Sequence, residues 1–294
     1  MTHQAGYAAI VGRPNVGKST LLNALVGAKV AIVTPKPQTT RNRIVGIRTL
    51  PEAQVVFLDT PGMHRARSLM NRRMVEVARR TLGEADVVLY VLDAAVGITA
   101  DDRAVAAGLS ELAVTTIAVV NKRDRVSPLE LLPVMGTLGE ILPGREVIPA
   151  SARTGENIPV LLAATVAGLP EGSRLYPEDH YTTETERFLV EELIREQIFL
   201  QTEEEVPYGT AVVVEEFTDK PDRHLLVVRA TILVDRPGHK GIVIGAGGQR
   251  LREIGRRARL ALEGLFGVKV FLELFARVES GWARDRRRLE QLGL

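Results

Sequence analysis

At 294 residues, with 45% apolar and 25% charged side chains, the chain has the make-up of a globular protein of about two domains with a sizeable core. It contains no cysteine, which excludes disulfides and cysteine-ligated zinc and points to a reducing cytoplasm. Residues 1–6 are no signal peptide and no apolar stretch approaches the about 18 residues of a membrane span, so a soluble cytoplasmic protein is expected. The net charge is only +2, but residues 176–235 hold 5 basic against 15 acidic side chains and residues 236–294 hold 13 against 6, which invites a polyanion at the C-terminal end.

Taken in order, an apolar run at residues 7–11 predicts a buried strand, and residues 20–25 predict a helix. Between them stand Gly12-Arg13-Pro14-Asn15-Val16-Gly17-Lys18-Ser19, the G-x-x-x-x-G-K-[ST] pattern. A strand before it and a helix after it make this a phosphate loop rather than a glycine turn with a solvated lysine. Gly12 and Gly17 let backbone N–H groups converge at a helix N-terminus. Gly12, Asn15, Val16, Gly17, Lys18, Ser19 and Thr20 form the expected triphosphate contacts, with Lys18 on the β- and γ-phosphates and Ser19 on Mg²⁺.

Residues 29–33 read Lys-Val-Ala-Ile-Val, and residues 34–43 form a polar segment with two prolines, read as a loop. Either of its adjacent threonines, Thr39 or Thr40, can supply a second Mg²⁺ ligand; the sequence leaves the choice between them open, and Thr40 is placed in the metal set. Residues 44–48 and 55–58 predict a strand pair ending in Asp59-Thr60-Pro61-Gly62. Asp59 is expected to hold Mg²⁺ through water, and the Gly62 N–H to meet the γ-phosphate. Lys18, Thr40 and Gly62 are the catalytic candidates, with Ser19, Thr40 and Asp59 as the metal set. Residues 68–82 then predict a helix, 87–92 a central parallel strand, 100–109 a helix and 116–120 a strand.

That last strand runs into Asn121-Lys122-Arg123-Asp124. A carboxylate at position 124 can accept from both N1–H and the exocyclic amine of guanine, a pair of donors that adenine lacks. Residues 147–150 predict the final strand, followed by Ser151, Ala152 and Arg153, whose backbone is expected to meet the guanine oxygen. The alternation predicts a doubly wound α/β domain over residues 1–172, closed by a helix at 158–167 and followed by a linker at 173–182.

The rhythm then changes. Thr183-x-x-Glu186 reads as a capping box before a helix bearing Val190, Ile194 and Ile198. Strands are expected at 210–217 and 225–234. Residues 238–244 then lead into Gly245-Ala246-Gly247-Gly248, followed by a helix with an apolar stripe and an arginine face, and by a strand at 268–275. Helix, strand, strand, helix, G-x-x-G, helix, strand is the order of a prokaryotic-type KH domain, here residues 183–294, whose loop clamps single-stranded RNA. Lys240, Gly245, Ala246, Gly247, Gly248, Gln249, Arg250 and Arg252 are the expected RNA contacts. Trp282 reads as packing, and the arginine run at 284–288 as a solvated tail with some attraction for nucleic acid.

Together, Gly-Arg-Pro-Asn-Val-Gly-Lys-Ser, Pro-Gln-Thr-Thr-Arg, Asp-Thr-Pro-Gly, Asn-Lys-Arg-Asp and Ile-Gly-Ala-Gly-Gly-Gln resemble the Era family of bacterial GTPases over nearly the full chain. The resemblance implies a P-loop GTPase domain followed by an α+β KH domain. It also implies a monomeric factor in small (30S) ribosomal subunit assembly that binds near the 3′ end of the 16S rRNA, with peripheral association at the inner membrane face. Two positions depart from the family pattern: Arg153 stands where lysine is usual, and Ala246-Gly247 lacks the usual lysine. Met63 occupies the position where Ras-like enzymes carry a water-orienting glutamine, which predicts slow hydrolysis. A second reading, a non-enzymatic RNA chaperone with nucleotide as a structural ligand, stays open. An ATP-dependent RNA enzyme is disfavoured by Asn121, Lys122 and Asp124.

Overall fold

The computed structural model describes residues 3–62, 76–78 and 80–292. They divide into two compact units, one of Met1–Ala31 with Thr40–Thr183 and one of Ile32–Thr39 with Glu184–Leu294.

In the first unit, strands β1 (Gln4–Val11), β2 (Ile44–Thr49), β3 (Ala53–Asp59), β4 (Val87–Asp93), β5 (Thr115–Asn121) and β6 (Glu146–Pro149) form a six-stranded sheet in the order β2-β3-β1-β4-β5-β6. Only the β2–β3 pairing is antiparallel. Every residue of β3 and β4 is buried, which is why these strands read as unbroken apolar runs: helices cover both faces of such a sheet. Helices α1 (Lys18–Val26), α2 (Ala100–Ser110), α3 (Pro128–Ile141) and α4 (Ile158–Ala167) alternate with the strands. Residues 76–78 and 80–83 are helical; the rest of the helix expected at 68–82, and Met63, lie outside the described residues. Parallel strands place their C-terminal ends, and hence the 12–19, 59–62, 121–124 and 151–153 loops, along one edge.

The segment expected as a linker is laid onto this unit. Gln54 accepts from the N–H groups of Leu175 and Tyr176, and the Thr182 hydroxyl donates to the Val45 carbonyl.

The second unit begins with α5 (Glu186–Gln201). The expected Thr183–Glu186 capping box does not form. Thr185 is the N-cap, its hydroxyl accepting from the Phe188 N–H, and Glu186 opens the helix. Strands β7 (Thr210–Lys220) and β8 (Leu225–Val234) make a hairpin with a bulge between Val214 and Glu216. The chain then crosses over through α6 (Pro237–Ile244), the glycine loop and α7 (Gln249–Phe266) to β9 (Lys269–Val278), which pairs parallel to β8. One sheet face packs on the helices around Val190, Ile194, Val228, Ile254, Ala258 and Leu262. Ile32 joins this core, although the sequence places it beside the phosphate loop.

The C-terminal arginine run differs from the solvated tail expected. It forms a short helix, α8 (Arg286–Gln291), capped by Asp285, with Leu289 and Trp282 fully buried beneath it.

Candidate nucleotide and RNA sites

The phosphate loop needs its glycines for space as well as for conformation. Gly17 has φ +97°, and a Cβ there would collide with the Asn121 amide. A Cβ on Gly62 would lie 2.8 Å from the backbone nitrogen of Pro14, so the Asp59–Gly62 turn lies directly against the phosphate loop. Lys18 is buried and donates to the carbonyls of Gly12 and Arg13, at 3.1 and 3.0 Å. Burial lowers its pKa to about 8.

The three expected metal ligands meet. The Ser19 hydroxyl donates to Asp59 Oδ2 at 2.6 Å and lies 2.8 Å from the Thr40 hydroxyl, which itself reaches Asp59 Oδ2 at 3.4 Å. Thr39 does not join them; its hydroxyl bonds Thr34 and the Lys36 carbonyl. Burial pushes Asp59 up to about 6 despite the Lys18 charge beside it, and its second oxygen, Oδ1, is buried with no hydrogen-bond partner. Two hydroxyls and a carboxylate with an orphaned oxygen form a hard-oxygen donor set that fits Mg²⁺. Arg13 binds Asp102 at 3.2 Å, and Asp102 also caps α2 together with Thr99, a tie from loop to helix that no motif announced.

The segment before Thr40 belongs to the second unit. The Val33 N–H donates to Glu196, Lys36 Nζ reaches the Phe199 and Thr202 carbonyls, and Arg195 donates to the Thr39 carbonyl at 2.6 Å.

The base-selecting residues also converge. Asn121 is buried, donating to the Val16 carbonyl at 2.8 Å and accepting from the Ala152 N–H at 3.0 Å, so the N–H expected to meet guanine already has a protein partner. Lys122 is held by Asp93 and by the Asn15 carbonyl, both at 2.6 Å. Asp93 is a contributor that sequence reasoning missed, legible only as the acid ending β4. Asp124 accepts from the Ser151 hydroxyl and from Arg153, both of which hold its carboxyl below the usual range. The unusual Arg153 thus has a specific role as the second partner of Asp124. Thr20 is the third residue of α1, its backbone at the phosphate-facing end.

In the second unit Gly245, Gly247 and Gly248 all have positive φ, and Cβ atoms on Gly247 or Gly248 would meet nothing within 4 Å. The loop therefore faces open space. Behind it lies a cavity of about 400 Å³ lined by Gly248, Leu251, Arg252, Gly255, Arg256, Arg259, Leu272 and Leu274. Of the expected RNA residues, Gly248 and Arg252 line it. Ala246 and Gln249 belong to the loop and the start of α7, Lys240 lies on α6, and Arg250 is turned back onto the Ile242 carbonyl. The floor, Leu272 and Leu274 of β9, was not anticipated; the available signal was the alternation of β9 beside a helix bearing Gly255. Arg256 and Arg257 share Glu253, whose pKa they lower to about 2.

Known proteins resemble the chain over nearly its whole length. Residues 7–122 match the family described as 50S ribosome-binding GTPase, and residues 205–283 match the KH domain. The chain is 45% identical over 290 residues to GTPase Era of Syntrophus aciditrophicus (strain SB), covering 99% of this chain and 95% of that protein. It is similar, at a TM-score of 0.95 and 41% identity with 99% of both chains covered, to Era crystallised with MgGDPNP and nucleotides 1506–1542 of 16S ribosomal RNA. It matches equally well an Aquifex aeolicus Era variant bound to GDP.AlF4-, at a TM-score of 0.95 and 41% identity.

Proposed function

The chain belongs to the Era family of GTPases, and from that premise we propose that it hydrolyses GTP with Mg²⁺ to control its grip on the 3′ end of small-subunit rRNA during assembly of the small ribosomal subunit. The observation that carries this reading is the meeting of Ser19, Thr40 and Asp59 beneath the phosphate loop, in a chain that also bears an arginine-rimmed groove behind a G-x-x-G loop. The residues divide the work. Lys18 exchanges the carbonyls of Gly12 and Arg13 for the β- and γ-phosphates, where its charge is needed. Ser19, Thr40 and Asp59 hold the cation, which when bound offsets charge on the phosphoryl oxygens. The Gly62 N–H faces the γ-phosphate. Asn121 and Lys122 brace the loop, while Asp124, flanked by Ser151, Ala152 and Arg153, selects guanine. Lys240, the 245–250 loop and Arg252 take the RNA backbone. The cysteine-free composition supports a cytoplasmic setting, and among the described residues no helix is long and apolar enough to cross a membrane.

Without a water-orienting glutamine at Met63, intrinsic turnover should be on the order of 10⁻³ s⁻¹. Single-turnover assays of the purified chain test this, with Lys18→Ala abolishing binding or turnover. Full activity in ribosome assembly by a variant that binds GTP but cannot cleave it would instead give nucleotide a structural role.

A further inference from the structure

Two carboxylates from one short stretch of chain hold the phosphate loop. The stretch runs from Asp93, the last residue of β4, to Asp102, in the first turn of α2, and it lies outside the motifs read from the sequence.

The role of Asp102 follows from Lys18, whose ammonium rests on the carbonyls of Gly12 and Arg13. Gly12 is fixed by close packing, since a Cβ there would collide with the Val91 carbonyl of β4. Arg13 is fixed by its side chain, whose Nε donates to Asp102 Oδ2 at 3.2 Å. Asp102 is fixed in turn. The same oxygen accepts from the Thr99 N–H at 2.9 Å and from the Thr99 hydroxyl at 2.6 Å, and Tyr90 of β4 donates to the Asp102 carbonyl at 2.7 Å. The Asp102 side chain is 1% exposed, and Arg13 is its one cationic partner among the described residues. A buried carboxylate holds such a partner firmly, because leaving it unpaired is costly.

Asp93 does the same work at the base end. Its Oδ1 accepts from the Ala95 N–H at 3.0 Å, and its Oδ2 takes Lys122 at 2.6 Å. The same ammonium donates to the Asn15 carbonyl. The loop is therefore held at Arg13 and at Asn15 by two acids of a single connection.

Resting on the reading of this site as a GTPase centre, we propose that residues 93–102 are a positioning element for the reaction, with Asp102 aligning Lys18 on the phosphates through Arg13 and Asp93 aligning Lys122 for the base. Each acid acts through another residue, and the two leave different kinetic marks. Lys18 meets charge that grows on the phosphoryl oxygens in the transition state, so a misplaced ammonium slows the chemical step. Lys122 serves the base, whose contacts are the same before and during hydrolysis, so a misplaced Lys122 weakens binding and spares the rate.

Fluorescent GTP and GDP titrations, with single-turnover hydrolysis at saturating GTP on the full chain, separate these marks. Asp102→Asn keeps an acceptor for Thr99 and removes the charge that holds Arg13. It should slow the saturated step by about 10-fold and change GDP affinity by less than about 3-fold. Asp93→Asn should do the reverse, weakening GTP and GDP alike by about 5-fold with the saturated rate within about 2-fold of the parent. Arg13→Gln cuts the first tie without touching the α2 cap, so it should reproduce the Asp102→Asn kinetics even where that variant melts early. Arg13→Lys, which can still pair with Asp102, should recover most of the rate. A saturated rate equal to the parent's in both Asp102→Asn and Arg13→Gln, whatever their melting temperatures, overturns the positioning role and leaves a structural tie. Equal losses of rate and affinity in all the variants overturn the division between the two acids. A parent chain that fails to bind or to cleave GTP overturns the GTPase reading, and the positioning element with it.

Discussion

Asp124 illustrates how a single residue acquires its role from its neighbours. Ser151 and Arg153 keep it ionised and aimed, so its two oxygens can accept from two guanine donors. Each such charge-assisted bond contributes about 1.5–3 kcal/mol, so Asp124→Asn should lower GTP affinity by 10²-fold or more. Xanthosine triphosphate, whose edge complements an amide, should bind the variant better than GTP does. Competition titration measures both, and GTP affinity equal to that of the parent would remove Asp124 from the base pocket. Glu191 presents a different balance. Burial raises its pKa, although the Val214 N–H donates to it at 2.9 Å. A carboxyl with a raised folded-state pKa favours the fold fully below its unfolded value of about 4.5 and loses that contribution as pH rises through the folded value. Glu191→Gln keeps the acceptor without the charge. Its melting temperature should therefore exceed that of the parent at pH 8, and the gap should close toward pH 4 in parallel thermal scans.

Elements differed in how openly the sequence announced them. The phosphate loop, Asp59–Gly62 and Asn121–Asp124 were legible because each is a short motif at a strand end, and β3 and β4 because both of their faces are buried. Helix α3 was missed, although Ser127, Pro128 and Glu130 spell its cap; Pro133, Gly136 and Gly139 hide its period. The groove floor was illegible for another reason: Leu272 and Leu274 reach Arg252 only through a crossover, and no local pattern encodes that contact. The G-x-x-G loop lies between these extremes, clear in sequence and now given a spatial meaning. Gly247 has φ +56°, which aspartate tolerates better than most residues, and its Cβ would face open space. Gly247→Asp should fold normally, keep GTP affinity in a fluorescent-nucleotide titration, and lose single-stranded RNA in filter binding, since only a phosphate would meet the new charge. Retained RNA affinity would reduce the loop to a connector between α6 and α7.

At the scale of the whole molecule, two units with separate cores should answer to separate ligands. MgGTP at 100 times its Kd stabilises whatever binds it by about 2.7 kcal/mol. Calorimetry should therefore show nucleotide raising one transition and RNA raising another. A single transition moved equally by both would show that the two cores melt as one. Residues 32–39 add a term that the linear sequence conceals: Ile32 is buried among Val190, Ile194 and Val228, so this segment should melt with the second unit.

The parallel pairing of β8 with β9 also sets an order in time. During synthesis the β7–β8 hairpin can form as soon as it emerges, and α6 and α7 can follow, but the groove still lacks its floor. Leu272 and Leu274 arrive only with β9, which must find its place beside a strand made long before it, Lys269 opposite Leu225 and Val278 opposite Val234. Pairing across such a crossover is the slow kind, because loop entropy is lost before contacts repay it. The phosphate loop leaves the ribosome early and the RNA groove closes near the end of the chain. A half-made copy can therefore meet nucleotide long before it can hold RNA, and it is the last strand that commissions the protein for its polyanion.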